Sequence, residues 1–233
     1  TGSHTFDVKA TDAAGNTDAT PATFTWTVTA APDTIIVAPD PGAATKSTTA
    51  TFNFTSTDPS ATFGCSLDNA AFTSCTSPKT YTKLKVGAHN FKVQASAGSV
   101  TDPTPASFTW TIDTKAPNTT IAPGGPPALT NKRTAVFEFY STEPGGTYQC
   151  SLDGSGFASC TSPWTSDPLL SGKHTFQVRA IDAAGNSAKK PATFSWTIDL
   201  TSPDPTMTTK PLTQTTSTSA AFKFASTEKK STF

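Results

Sequence analysis

Along residues 174–181 apolar and polar side chains alternate. His174, Phe176, Val178 and Ala180 project to one side of an extended chain, and Thr175, Gln177, Arg179 and Ile181 to the other. This period of two predicts a strand with one buried face. Residues 192–199, ATFSWTID, continue the pattern, with Phe194 and either Trp196 or its neighbours inward. Between the two runs lies DAAGN, where Asp182 suits turn capping and Gly185-Asn186 tolerate positive φ, so the segments read as a hairpin. Upstream, TAVFEFYST sets Phe137 and Phe139 against Val136 and Glu138, and TYQCSLD predicts another strand ending at Asp153-Gly154. No segment carries a convincing helical period.

The hairpin pattern is repeated. GKHTFQVRAIDAAGN from Gly172 has counterparts in GAHNFKVQASAGSV from Gly87 and GSHTFDVKATDAAGN from Gly2, each 85 residues apart. The Gly2 copy begins with letters that a cleaved expression tag also leaves, but its recurrence marks it as native. Trp26, Trp110 and Trp196 recur in FTWT, FTWT and FSWT, and Phe52, Phe137 and Phe222 recur at a spacing of 85. The cysteine pair Cys65 and Cys75 returns as Cys150 and Cys160. Repetition at this scale organises the whole chain. It gives the C-terminal part of a repeat over 1–31, complete repeats over 32–114 and 115–199, and the N-terminal part of another over 200–233. A longer natural chain is expected, with a cysteine two residues beyond Phe233, the counterpart of Phe63 and Tyr148.

Five to seven short strands, separated by turns over about 85 residues, predict an antiparallel β-sandwich of the immunoglobulin or fibronectin type III class. The fold class expected is therefore all-β: tandem Ig-like/fibronectin-III-like antiparallel β-sandwiches arranged as beads on a string. The combined motif runs from F-x-C-S-L-D through F-x-x-C-T-S-P and G-x-H-x-F-x-V-x-A to A-x-F-x-W-T-I-D. It resembles the bacterial Ig-like tandem repeats of large repetitive extracellular adhesin and surface-fibre proteins. The resemblance covers nearly the whole chain and implies an extracellular, multi-domain surface protein, without naming a ligand. The copy over 32–114 departs from it at ASAGSVTDP, where the others carry D-x-A-G-N.

Composition agrees with this reading. Roughly a fifth of the residues are β-branched threonine and 19 are proline, which favour strands and turns. The formal net charge is zero and no Lys/Arg cluster occurs, which removes the electrostatic footprint of nucleic-acid binding. No apolar run approaches the roughly 20 residues of a membrane span.

The four cysteines fall into pairs ten residues apart, CSLDNAAFTSC and CSLDGSGFASC. A turn at Asp68-Asn69 or Asp153-Gly154 places the partners on facing strands, so Cys65 with Cys75 and Cys150 with Cys160 are expected to form hairpin disulfides. A shared zinc site fails on arrangement, because the pairs belong to different repeats. Disulfides in turn point outside the cytoplasm. His4, His89 and His174 occupy one position seen three times, a buried histidine bonded to backbone near a sheet corner. Asp12, Asp58, Asp113, Glu143, Asp182 and Asp199 lie in turns or at strand ends. A calcium ion at a domain junction is conceivable from them, but turn capping is the expectation and no metal ligand is assigned.

No nucleophile elbow, free thiol with histidine, P-loop or isolated carboxylate pair appears, so neither enzyme activity nor a cofactor is expected. Trp164 stands outside the repeat, where the other complete copy has Lys79. It is either a contact for a glycan or neighbouring protein or a core residue. Asn53 and Asn118 fit the N-glycosylation pattern.

The expected function is structural, as a segment of an extracellular adhesin stalk or surface filament. Pro-containing junctions limit the joints, and each repeat adds roughly 30–40 Å to a semi-rigid rod. The partners expected are neighbouring repeats, other copies in a fibre, or a cell-surface glycan or protein. A carbohydrate- or protein-binding module and an accessory array of a secreted enzyme are the alternatives. Chain ends that complete each other's half domains rank below a continuous array, because the cysteine hairpin would still be missing.

Overall fold

A computed structural model describes residues 1–233. It contains strands and no helices. Two compact units are present, Thr1–Pro117 with Ile181–Ser187, and Asn118–Ala180 with Ala188–Phe233.

The first unit begins with a hairpin of β1 (Gly2–Val8) and β2 (Ala22–Val28), paired from Gly2 with Val28 to Val8 with Ala22. A complete sandwich follows. Its strands are β3 (Thr34–Val37), β4 (Ala44–Thr45), β5 (Ala50–Ser56), β6 (Thr62–Leu67), β7 (Thr73–Cys75), β8 (Lys79–Tyr81), β9 (Gly87–Ala97), β10 (Val100–Thr101) and β11 (Ala106–Ile112). One sheet runs β4-β11-β9-β6-β7, with β10 on β9, and the other β3-β5-β8. Every pairing is antiparallel except β4 with β11, which is parallel.

The second unit repeats the plan. Its strands are β12 (Thr119–Ile121), β13 (Leu129–Thr130), β14 (Val136–Phe137), β15 (Phe139–Ser141), β16 (Thr147–Leu152), β17 (Ala158–Cys160), β18 (Trp164–Thr165), β19 (Gly172–Ile181) and β20 (Ala192–Ile198). The larger sheet runs β13-β20-β19-β16-β17. The smaller one is divided at Glu138 into β12-β15 and β14-β18. A last hairpin pairs β21 (Pro205–Thr209) with β22 (Lys223–Ser226).

The period of two decides what each sandwich buries. Along β9, His89, Phe91, Val93 and Ala95 point inward while their neighbours face out, and His174, Phe176, Val178 and Ala180 do the same on β19. Phe52 stacks on Phe91 at 4.1 Å and meets Trp110 edge-on at 5.1 Å. In the second sandwich Phe137 lies 4.4 Å from Phe176 and 5.3 Å from Trp196. Trp110 and Trp196 are both core residues, so the inward choice left open on the last strand falls to the tryptophan.

Both disulfides form within their hairpins. Cys65 and Cys75 have Cα atoms 5.8 Å apart, as do Cys150 and Cys160. Cys65 faces Thr73 and Cys75 faces Phe63, so each bond runs diagonally between strands. Asp68 and Asp153, at φ 52° and 51°, make the left-handed turn between them, a conformation that Asp tolerates better than most residues. In each sandwich a serine hydroxyl completes the smaller sheet: Ser77 Oγ accepts the Phe54 N–H at 2.9 Å, and Ser162 Oγ that of Phe139 at 2.9 Å.

Closing a loop this short removes freedom from the unfolded chain. Reduction is therefore expected to cost each sandwich about 3 kcal/mol. Urea unfolding with and without a reductant checks this, and a change below about 1 kcal/mol would show that the hairpins are held without the bond.

Candidate functional site

Of the three repeated histidines, His89 and His174 are buried and engaged at both ring nitrogens, whereas His4 is exposed, which corrects the expectation of a buried histidine at that position. His89 Nδ1 lies 2.8 Å from Asp68 Oδ2, and its Nε2 lies 2.8 Å from the Lys85 carbonyl. His174 repeats this with Asp153 Oδ2 at 2.7 Å and the Leu170 carbonyl at 2.9 Å. A carbonyl can only accept, so Nε2 carries hydrogen, and a carboxylate facing Nδ1 requires a second one. The geometry therefore suits the imidazolium ion. The other carboxylate oxygen accepts a backbone N–H on the histidine strand, from Asn90 at 3.0 Å and from Thr175 at 2.7 Å. Each ring also lies beside the core indole, at 5.2 Å from Trp110 and 5.5 Å from Trp196, within reach of a cation–π attraction.

These surroundings raise both histidine pKa values. For His89 the Lys85 carbonyl contributes most; burial opposes it and Asp68 adds to it. For His174 burial is the largest effect and lowers the value, but the Asp153 carboxylate and the Leu170 carbonyl together outweigh it. The backbone bond at the sheet corner was legible in the sequence, and the carboxylate was missed. Its signal was there: an aspartate stands 21 residues before the histidine in both complete repeats.

A second carboxylate closes the other end of the first sandwich. Asp102, fully buried, accepts the N–H and the hydroxyl of Thr34 at 2.9 and 2.6 Å and those of Thr104 at 2.8 and 3.1 Å. Burial pushes its pKa up, yet the four donors prevail and hold it below the ordinary value. Thr34 Oγ1 in turn accepts the Ala95 N–H at 2.9 Å, so β3 is tied to β9. The second sandwich keeps the threonine bond, Ala180 N–H to Thr119 Oγ1 at 2.8 Å, but has Ala188 in place of the aspartate.

Trp164 is half-buried and packs on the second core. It opens β18 opposite Phe137 and stacks on Phe176 at 4.7 Å. Of the two readings left open for Trp164, a surface contact or a core residue, the packing is that of the second. The reason lies two residues on: the first sandwich fills the same space with Tyr81, 5.9 Å from Phe91, whereas the second has the small Ser166 there. Lys79 with Tyr81 and Trp164 with Ser166 are two ways of covering one phenylalanine.

Five further aspartates cap turns or strand ends. Asp12 accepts the N–H groups of Ala14 and Asn16, Asp58 the N–H and the hydroxyl of Ser60, Asp113 the N–H of Lys115, Asp182 that of Asn186 and Asp199 that of Thr201. Ser141 Oγ accepts the N–H of Glu143. A groove of about 660 Å³ lies beside the His89 corner, lined by Asp68, Asn69, Asn90, Thr109 and Thr111 among others.

No family model matches the chain, and no curated protein matches it. Among solved structures it is similar to the fibronectin(III)-like modules of Clostridium thermocellum CbhA, at 15% identity and TM-score 0.45, over 71% of this chain and 94% of that one. It is also similar to the chicken CNTN1 FN1-FN3 domains, at 10% identity and TM-score 0.42, over 84% of this chain and 76% of that one. A tetra-tandem repeat in the extending region of a large adhesion protein matches at 15% identity and TM-score 0.39. That match covers 89% of this chain and 59% of the adhesion-protein chain. The sandwich assignment rests on the strand pairing described above.

The histidine corner makes stability depend on pH. A raised folded-state pKa contributes stability that is fully present below the unfolded value of about 6.5, and this is lost as pH climbs through the folded value. Urea midpoints are expected to fall between about pH 6 and pH 9, and His89→Gln with His174→Gln to flatten that fall. In Asp153→Asn the His174 titration followed by NMR is expected to move to lower pH; an unmoved midpoint would remove Asp153 from the account.

Proposed function

We propose that this chain is a load-bearing, non-catalytic segment of an extracellular bacterial surface protein, an adhesin stalk or filament built of tandem Ig-like repeats. The observation that carries this reading is the parallel pairing of the second strand with the last in each complete sandwich: Ala44 and Thr45 of β4 with Thr111 and Ile112 of β11, Leu129 and Thr130 of β13 with Thr197 and Ile198 of β20. Tension on the two ends of a sandwich pulls such strands along their length in opposite directions. Their bonds are then loaded together in shear rather than opened one by one. The Asp102–Thr34 clamp adds a buried, charge-assisted attachment of β3 at the opposite end of the first sandwich, beside Ala95. Disulfides support an oxidising, extracytoplasmic setting and keep the hairpins closed while the rest of a sandwich extends.

The chemistry-bearing residues fit this role. The histidines, the aspartates that hold them and the cysteines all recur once per repeat and are bonded to their own sandwich. The contact-surface alternative loses its main residue, because Trp164 is occupied with Phe176.

Pulling single molecules by their ends tests the proposal. Two unfolding peaks well separated from the baseline are expected, and reduction should lengthen each by about 30 Å as the ten-residue loop is released at about 3.6 Å per residue. Asp102→Ala should lower one peak toward the other, since Ala188 already stands at that place in the second sandwich, and should cost the first sandwich about 2–3 kcal/mol in urea. Extension without resolved peaks would exclude a load-bearing role.

A further inference from the structure

The groove beside the His89 corner crosses the outer face of the larger sheet in the first sandwich. Its lining follows the strand order, from Ala43 before β4, through Thr109 and Thr111 on β11 and Ala88 and Asn90 on β9, to the turn after β6. At about 660 Å³ it is as large as many small-molecule sites. All of it belongs to one sandwich.

Differences between the repeats open it. Ala88 and Asn90 stand where the second sandwich has Lys173 and Thr175, and Asn69 stands where it has Gly154. A methyl group in place of a lysine clears room over the strands. Asn69 keeps the left-handed turn at φ 62° that Gly154 makes at φ 78°. Glycine meets that conformation without a steric penalty, so an asparagine there places a polar side chain at the groove against a conformational cost.

The polar groups of the groove are left without partners. At the same place in the other copies the outward residues bond across the hairpin, Thr175 to Ser195 at 3.0 Å and Thr5 to Thr25 at 3.2 Å. In the first sandwich the facing pair is Asn90 and Thr109, and Asn90 Oδ1 is buried and accepts nothing from the protein. An acceptor in that state destabilises the fold unless something donates to it. Asn69 Oδ1 takes the Lys92 ammonium at 3.1 Å, which leaves its NH2 group uncommitted. The charged residues of the lining, Asp68 and His89, are bonded to each other.

These features select the ligand. Amides and threonine hydroxyls both donate and accept, the charges are paired, and the surface between them is methyl. A sugar ring is complementary, with hydroxyls that give and take hydrogen bonds around its rim and C–H groups on its faces. An anion would find no free cation among the lining residues. A peptide would find no open pocket for an apolar anchor, since Trp110, the large residue of the lining, is turned into the core.

We infer that this groove binds a neutral saccharide, with Asn69 and Asn90 as its hydrogen-bonding residues and Ala88 as the residue that keeps it open. The Asn90 amide presents its oxygen to the ligand by turning about χ2, a torsion with a broad minimum. The second sandwich, with Lys173 over the strands and Thr175 bonded to Ser195, carries no such site. Saccharide binding goes beyond the load-bearing role and does not depend on it.

The test follows the nitrogen–proton NMR signals of the 233-residue chain during addition of neutral tetrasaccharides of α-linked glucose, β-linked glucose, mannose and N-acetylglucosamine. With at least one of them the side-chain NH2 signals of Asn69 and Asn90 are expected to shift saturably, with a Kd of about 1 mM or below, while Lys173 and Thr175 stay in place. Ala88→Lys installs the second repeat's residue at an exposed position and should weaken binding at least about tenfold. Asn90→Thr should weaken it as well without lowering the urea midpoint of the first sandwich, because it restores the hydroxyl pair of the other copies; a merely structural Asn90 would give the reverse. No saturable shift with any of the sugars would overturn the proposal. So would equal shifts in Ala88→Lys, or shifts produced by a tetra-alanine peptide and by none of the sugars, which would mark a peptide site. Sugar binding and unfolding force are read separately, so this proposal and the load-bearing one fail independently.

Discussion

The structure depends on one contact made twice: a phenylalanine of the smaller sheet lying flat on a phenylalanine of the larger one, Phe52 on Phe91 and Phe137 on Phe176. Two twisted sheets share no ladder hydrogen bonds, so only side chains across the gap hold them together. Each stacked pair is enclosed by a tryptophan from the last strand and by further aromatics. Such rings remove large apolar areas from water and favour particular geometries, which fixes the stagger of the sheets as well as their spacing. The strict alternation along β9 and β19 follows, because a slip of one residue would turn the stack out into solvent.

A core of this kind leaves the ends of the sandwich to polar side chains, and those side chains are specific. One carboxylate secures a histidine and a backbone N–H at the disulfide hairpin. Another secures the first strand through two donors of Thr34 and takes two more from its neighbour Thr104. Serine hydroxyls stand in for missing ladder partners. A buried carboxylate is costly unless each lone pair is used, and the one at Asp102 is satisfied in that way. The histidine works on the same principle when it is protonated, since both ring nitrogens can then donate, and the indole lies beside the ring.

Comparison of the two complete repeats separates what is fixed from what is free. The aromatic stack, the disulfide and the histidine corner are kept. The cover on the stack is exchanged, Tyr81 in one repeat and Trp164 in the other, and the Asp102 clamp gives way to Ala188. The variable positions lie around the core and at its ends, where packing can be met by different side chains of similar total volume.

The sequence by itself determined the strands, their inward faces and the repeat. Each of these is local or periodic: Phe176 and Val178 announce a buried face by spacing alone, and 85-residue recurrence needs no structure to be seen. It also indicated the disulfides, because a ten-residue hairpin leaves little choice of partner. Only the tertiary structure decided that Asp68 belongs to His89, that Asp102 reaches Thr34 across 68 residues, and that Trp164 turns inward. The physical reason is common to all three. Alternation assigns a side chain to a face, but its partner comes from the register between strands distant in the chain, and from whether a residue such as Ser166 has left space to be filled.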